Sequence, residues 1–347
     1  MSVPESRTPK AAIFGCAGKS LSAQERAFFA ANDPFGFILF ARNVETPDQV
    51  RALVKALRES VGRADAPVLI DQEGGRVARL KPPHWRAAPA AAKIAALADD
   101  DIDAACEAAW LNARLIGGEL AALGIDVDCA PVCDVPVVGS HDVIGDRAYG
   151  TDPGRVATIA RAAALGLIDA GVLPVIKHIP GHGRARADSH HELPTVDTPR
   201  AELETSDFVP FRALADMPWG MTAHVRYTAL DKERPATLSP TIIRDVIRGQ
   251  IGFDGLLLTD DLSMKALGGS FAERTHAALE AGCDIALHCN GDMTEMEGVA
   301  AAAPPLSEAA CRRIGRAKAL RRSSLRGGDA AKLLARFDAL FAKRLAS

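Results

Sequence analysis

The chain has 347 residues, with 41 lysines and arginines against 44 aspartates and glutamates, so its net charge is −3. Hydrophobic residues make up 48% and charged residues 24%, which excludes a disordered or fibrous chain. No apolar run approaches the ~18 residues of a membrane helix, and the length suits one large α/β domain or two average ones.

The N-terminus is polar and carries Pro4 and Pro9. The apolar stretch Ala11–Ala17 that follows is too short and too weakly flanked for a secretory signal. Short apolar runs then recur as candidate strands at Ala11–Gly15, Gly36–Phe40, Val68–Asp71 and Asp126–Ala130. Four more follow at Pro174–His178, Gly220–His224, Gly255–Asp260 and Asp284–Cys289. Between most of them lie amphipathic stretches. Gln49–Val61 places Val50, Leu53, Val54 and Leu57 on one stripe and turns Arg51, Lys55 and Arg58 away. Ala104–Leu123, Arg155–Ala170 and Ala272–Ala281 read as helices that stop at Gly124, Gly171 and Gly282.

Alternating β and α elements imply an α/β chain with a parallel sheet covered by helices. Eight strands in one series predict a single-domain (β/α)8 TIM barrel over about residues 11–300, followed by a basic helical tail over about 305–347. An open doubly wound sheet is less favoured, because no GxGxxG follows an early strand. Lys81–Ala92, rich in Pro and Ala, reads as a loop over one barrel face.

Seven scattered cysteines (Cys16, Cys106, Cys129, Cys133, Cys283, Cys289 and Cys311) form no CxxC pair, so neither a disulfide framework nor a zinc ribbon is indicated. A reduced, cytoplasmic protein is expected. From Arg312 onward there are eleven basic and two acidic residues, which leaves the rest of the chain at −12. Apolar and basic residues alternate at helical spacing from Lys332 to Leu345, so this reads as the solvated face of terminal helices. Nucleic acid or acidic lipid as partner would need an aromatic or Gly-rich motif that is missing.

In such barrels chemistry gathers where the C-terminal ends of the strands meet their loops. Those exits read Ala41-Arg42-Asn43, Asp71-Gln72-Glu73-Gly74-Gly75-Arg76 and Cys129-Ala130-Pro131-Val132-Cys133-Asp134 with Asp146-Arg147 beyond. Then come Lys177-His178-Ile179-Pro180-Gly181-His182-Gly183, His224 and Asp260-Asp261. Asp71, Arg79, Arg147, Lys177 and His178 offer donors and acceptors at several angles, as a polyhydroxylated ligand requires. Two groups suit nucleophilic or acid/base work. Thr259-Asp260-Asp261-Leu262 would hold one carboxylate at the pocket floor, and the second, Asp261, reads as the cap of the following helix. Asp188-Ser189-His190, in the long loop after the fifth strand, sets an Asp where it could orient a His that gives a proton and later takes one. His182 and His191 fit loop packing equally well.

The run Lys177–Gly183 followed by Asp188-Ser189-His190 resembles the signature of family 3 glycoside hydrolases, in particular the bacterial NagZ-type β-N-acetylhexosaminidases. Asp71–Val77 and Thr259–Met264 match the same family in the expected order, and the resemblance runs from about Ala11 to past Asn290. It implies a retaining two-step mechanism with Asp260 as nucleophile and His190, paired with Asp188, as general acid and then base. Asp71, Arg79, Arg147, Lys177 and His178 match the family's sugar-binding positions. The implied substrate is a terminal β-linked N-acetylglucosamine on a small peptidoglycan fragment, joined to 1,6-anhydro-N-acetylmuramic acid with or without peptide. That implies cytoplasmic cell-wall recycling, with no metal, no organic cofactor and no nucleic-acid or membrane partner, and a monomer. Three tryptophans, Trp85, Trp110 and Trp219, are too few for a stacking platform along a polysaccharide.

Other readings of the same residues remain. A phosphorylase or a broader β-glycosidase would use the same fold. A metal-dependent barrel hydrolase would use His178, His182, His224 and Asp260 as ligands, although Ala11–Gly15 lacks the HxH such sites often carry. A Schiff-base enzyme would use Lys177 as nucleophile. A catalytically dead muropeptide-binding protein would not need Asp260, Asp188 and His190 intact.

Overall fold

A computed structural model describes residues 8–324 and 328–346, so the start of the polar N-terminus and Arg326 of the basic tail lie outside the described residues. Eight parallel strands close into a barrel: β1 Lys10–Phe14, β2 Pro34–Leu39, β3 Val68–Ile70, β4 Val127–Asp128, β5 Leu173–Ile179, β6 Trp219–Thr222, β7 Leu256–Asp261 and β8 Ile285–His288. Each strand pairs with its neighbours in sequence, and β8 closes on β1 through Ala12 opposite Ala286. This is the (β/α)8 barrel expected from the alternation. The strand bounds move by a few residues at most. Asp126 and Asp284 fall just outside, yet their amides donate to the carbonyls of Val68 and Leu257 and their carboxylates accept the amides of the same two residues.

Both faces of the sheet are buried, so the strands are continuous apolar runs and not alternating ones. The pleat still sorts them. Leu69, Val127, Val175, Trp219, Met221, Leu256, Leu258, Ile285 and Leu287 fill the barrel interior, while Ile70, Ile176, Leu257 and Ala286 pack outward under the helices. Continuing the period of two along each strand carries Asp71, Cys129, Lys177, Asp260 and Cys289 to the inner side at the mouth.

The main helices are α1 Ala23–Asn32, α2 Pro47–Ser60, α3 Ile102–Ala122, α4 Pro153–Asp169, α5 Ile242–Gln250 (π-wound), α6 Phe271–Ala281 and α7 Met293–Ala302. Local chemistry starts them: Ser22 with Glu25 and Ser270 with Glu273 are capping boxes, and Thr46 and Asp152 cap helices whose first residue is proline. Gly124, Gly171 and Gly282 take positive φ where α3, α4 and α6 end, the left-handed stop their sequence suggested. Lys81–Ala90 is an extended loop whose Ala88 carbonyl accepts the Gly75 amide, so it braces the loop leaving β3.

Two further helices, α8 Glu308–Ser324 and α9 Ala330–Ala346, complete the described chain. Phe337 of α9 is buried in the outer core. Their basic side chains are mostly solvent-facing, as expected, and several of them also pair with acids. Arg313 and Arg316 pair with Asp254, Arg313 also with Asp284, Lys318 with Asp65, Arg321 with Asp126 and Arg336 with Glu107. The positive tail therefore lies against acids just before the strands, at Asp65, Asp126, Asp254 and Asp284, and against Glu107 of α3. All seven cysteines are free thiols. Among the described residues no helix is long and apolar enough to cross a membrane.

Candidate active site

At the mouth of the barrel, a cavity of about 260 Å³ is lined by the strand exits and one long loop. Its walls include Asp71, Glu73, Arg79, Arg147, Lys177, His178, His190, Asp260 and Asp261, with Ile38, Phe40, Met221, Met264 and Leu287 as the apolar part. Every site residue proposed from the sequence except Asp188 lines it, and Asp188 binds the His190 that does.

One wall is an ion network. Lys177 Nζ lies 2.9 Å from Asp71 Oδ1 and 2.6 Å from Glu73 Oε1. The guanidinium of Arg147 grips both oxygens of Glu73 at 2.9 Å each, and Arg79 approaches Asp71 Oδ2 at 3.2 Å. Two carboxylates share three cations, the compensation that buried charge requires. Burial alone would raise both acids, but Lys177 and the arginines outweigh it. Asp71 is held below its ordinary value and Glu73 falls to about 2. Lys177 is likewise kept an ammonium: burial disfavours its charge, and Asp71 and Glu73 overcome that. An ammonium has no lone pair, so the Schiff-base reading of Lys177 loses its nucleophile. Beneath the network, Asp128 takes the Gln72 amide at 2.9 Å on Oδ1, while Oδ2 has no partner among the described residues. Burial, with Asp71 and Glu73 nearby, pushes this carboxyl up to about 7.

The opposite wall carries Asp260. Its Oδ1 accepts the Asp261 amide at 2.8 Å. Burial raises its pKa, yet His178, His224 and that amide bring it below the ordinary carboxylate value. Asp261 is occupied elsewhere: its oxygens accept from Ser263 N, Ser263 Oγ and Cys289 N. It ties the turn after β7 to β8 and does not cap the next helix, which begins after Ser270. The pleat thus separates two adjacent aspartates into a pocket acid and a structural one.

Between β5 and β6, Lys177 faces Met221 and Ile179 faces Thr222, so His178 is an extra residue in the ladder. That bulge lets consecutive side chains, Lys177 and His178, both reach the cavity. Asp134 anchors this turn, with Oδ2 2.7 Å from His178 Nδ1 and Oδ1 accepting the amides of His178 and His182. The loop leaving β5 then crosses close over β4's exit. A Cβ on Gly183 would meet the carbonyl oxygen of Val135 at 2.0 Å, so only glycine fits. Further along, Asp188 Oδ1 holds His190 Nδ1 at 2.7 Å and the His190 amide at 2.9 Å. Burial is the largest single influence on Asp188 and raises it, but the His190 amide and ring together outweigh it, so the net shift is downward.

Sequence reasoning passed over Glu73 and Asp134 as site residues. Both stand in the quoted strand exits, two residues after Asp71 and five after Cys129, but their partners come from 74 and 44 residues away. Phe40, between the guanidiniums of Arg42 and Arg79 at 5.0 and 5.1 Å, was passed over too. The imidazoles required by a metal site are engaged elsewhere: His178 with Asp134, His182 with Ser189, and His224 with Thr237 and the Asp261 carbonyl. Among the described residues no three ligating side chains converge.

The family model for the glycosyl hydrolase family 3 N-terminal domain matches residues 14–317. A β-hexosaminidase of Alkalilimnicola ehrlichii is 42% identical over 282 residues, 80% of each chain. Among solved structures, NagZ from Neisseria gonorrhoeae in complex with N-trifluoroacetyl-D-glucosamine superposes with a TM-score of 0.85 at 30% identity, covering 96% of this chain and 98% of that one. A family 3 β-N-acetylglucosaminidase from Paenibacillus sp. gives a TM-score of 0.82 at 32% identity, over 95% of this chain and 67% of the other.

Proposed function

The chain belongs to glycosyl hydrolase family 3 and is a glycoside hydrolase of the β-N-acetylglucosaminidase kind, and from there we propose that it is a retaining exo-enzyme working through Asp260, His190 and Asp188. One observation carries the mechanism: Asp260, held below the ordinary carboxylate value, and His190, bound from behind by Asp188, line one small cavity with Asp71, Glu73, Lys177 and Arg147.

Asp260 Oδ1 is tied to a backbone amide, so Oδ2 is the oxygen left to attack the anomeric carbon. As that bond forms, the glycosidic C–O bond breaks and the leaving oxygen takes a proton from His190. Nδ1 of His190 is bound to Asp188, so the proton moves through Nε2. In the second step Nε2 takes a proton from water as the water oxygen attacks C1 and releases Asp260. The general pattern uses two carboxylates. His190 gives its Nε2 proton as the imidazolium and is left a neutral imidazole that serves as the base of the second step, so neither form repels Asp260 or the charge on an incoming acceptor as a second carboxylate would. Asp71, Arg79, Arg147, Lys177 and His178 are proposed to hold the sugar's hydroxyls, with Glu73 keeping Lys177 and Arg147 in place.

A terminal N-acetylglucosamine on a muropeptide fragment is the proposed substrate, processed in cytoplasmic peptidoglycan recycling. The small cavity, with none of the three tryptophans on its wall, supports removal of one terminal sugar over threading of a chain. The N-acylglucosamine in the Neisseria relative supports the sugar's identity. Mass spectrometry after reaction with a 2-acetamido-5-fluoro trapping sugar tests the mechanism. A label on Asp260 is expected, and a label on Asp261 or elsewhere overturns the assignment. Product analysis in phosphate buffer decides the acceptor: free N-acetylglucosamine is expected, and its 1-phosphate would make the enzyme a phosphorylase.

A further inference from the structure

We propose that His182 and Ser189 form a latch that positions the Asp188–His190 pair over the sugar site, so both are positioning residues. The proposal rests on the acid/base role of His190 given above.

The loop from Arg186 to Glu192 is exposed or half-buried except at one residue. Ser189, between Asp188 and His190, is 2% exposed, whereas the His190 side chain is 61% exposed. Ser189 is held on two sides. Its hydroxyl lies 3.1 Å from His182 Nε2, and its carbonyl accepts the Ala266 amide at 3.2 Å, in the segment just beyond Asp260. One residue thus ties the tip of the β5 loop both to its own root and to the loop after β7.

The root is rigid. The His182 amide donates to Asp134 Oδ1 at 2.6 Å, on the carboxylate that also fixes His178. The His182 ring is buried, and its Nδ1 has no partner among the described residues, so Ser189 is its single polar contact there. Burial, with His178 beside it, drives its pKa down to about 4, so near neutral pH it is an uncharged ring that adds no field to the pocket.

The Asp188–His190 bond is local, spanning two residues, and does not depend on the latch. What depends on it is where the pair sits relative to Asp260. Removal of the latch should therefore leave an intact dyad in the wrong place, which penalises leaving groups that need a proton and spares those that do not.

The test compares Ser189→Ala, Ser189→Thr and His190→Ala on an activated aryl β-N-acetylglucosaminide and on an unactivated disaccharide, with hydrogen exchange read over residues 186–192. Ser189→Ala is expected to lose about 10- to 100-fold in kcat/KM on the disaccharide. On the aryl glycoside, whose bond cleavage needs no proton, kcat/KM should fall about threefold or less, with exchange faster in that loop alone. Ser189→Thr, which keeps the hydroxyl, should recover most of the rate. Wild-type rates and exchange in Ser189→Ala, beside a His190→Ala enzyme that does discriminate leaving groups, overturn the latch alone. Equal losses on both substrates with a lowered Tm make Ser189 merely structural and overturn it too. A His190→Ala enzyme without leaving-group discrimination overturns the acid/base reading, and the latch with it.

Discussion

The two ends of the barrel are built from the same ingredients and differ in what their charges leave over. At the base, Asp284 accepts Arg248 at 2.9 Å, Arg313 at 2.8 Å and the Leu257 amide at 2.9 Å. Asp126 is shared in the same way by Arg58, Arg321 and the Val68 amide. At the mouth, Asp71, Glu73, Lys177 and Arg147 are as densely paired, but they border a cavity that also contains Asp260 and His190. Volume does not mark the site. The groove between α2 and the end of α3, lined by Arg51, Val54, Lys55 and Arg58, is roomier at about 740 Å³ and lies at the base. There the Arg58 guanidinium is already spent on Asp126 and on the carbonyls of Ala66 and Gly124. Charge that is saturated braces a fold. Charge beside an ionised carboxylate with a free oxygen, and a histidine with a free nitrogen, is equipped for chemistry.

Substitutions at the two ends should separate accordingly. Asp260→Asn is expected to lower kcat by more than about 10⁴-fold while sugar binding persists. A variant with more than a few per cent of wild-type turnover would show that the mouth works without this carboxylate. Glu73→Gln leaves Lys177 and Arg147 undercompensated, so a loss of about 3–5 kcal/mol in stability is expected together with a raised KM. Because Glu73 is depressed from 4.5 to about 2, its contribution is present above pH 4.5 and is lost as pH falls towards 2. Melting curves of wild type and variant should therefore converge in acid, and parallel curves would contradict the network. The base counterpart, Asp284→Asn, is expected to cost about 3 kcal/mol with kcat unchanged.

Asp128 provides the opposite sign. Its carboxyl is raised from 3.8 to about 7, so the stability it allows is complete below pH 3.8 and is lost as pH rises through 7. Asp128→Asn removes that loss, and its advantage over wild type should grow by ~2–3 kcal/mol between pH 5 and pH 8. Chemical denaturation at the two pH values reads this directly, and a constant gap would place a charged Asp128 in the core. The smallest effect belongs to the exposed base pairs. Arg316→Ala, which frees Asp254 from one of two arginines, should cost less than about 1 kcal/mol, with the effect shrinking at high salt.

The barrel was legible because each of its strands is a short apolar run between helical periods, and its helices announce their own ends at Gly124, Gly171 and Gly282. The paired aspartates at 260 and 261 were separable in principle, since the pleat that buries Leu256 and Leu258 inward carries Asp260 with them. Glu73 and Asp134 were hidden by their partners: what makes them part of the site is Arg147, from the turn after β4, and Lys177 and His178, from β5. The ion pairs of the basic tail were hidden in the same way, because its aspartate partners lie far back in the chain, at 65, 126, 254 and 284.

By itself, the amino-acid order determined the elements, their order around the barrel and the strand ends that carry ionisable groups, since periodicity and capping act over a few residues. Only the closed barrel decided which of those groups became neighbours. Asp71 and Lys177, 106 positions apart, meet at 2.9 Å, and Ser189 finds His182 only once the loop has folded back on its root. Electrostatic compensation and burial are properties of such neighbourhoods. They exist once the pleat and the loop crossings have set the distances.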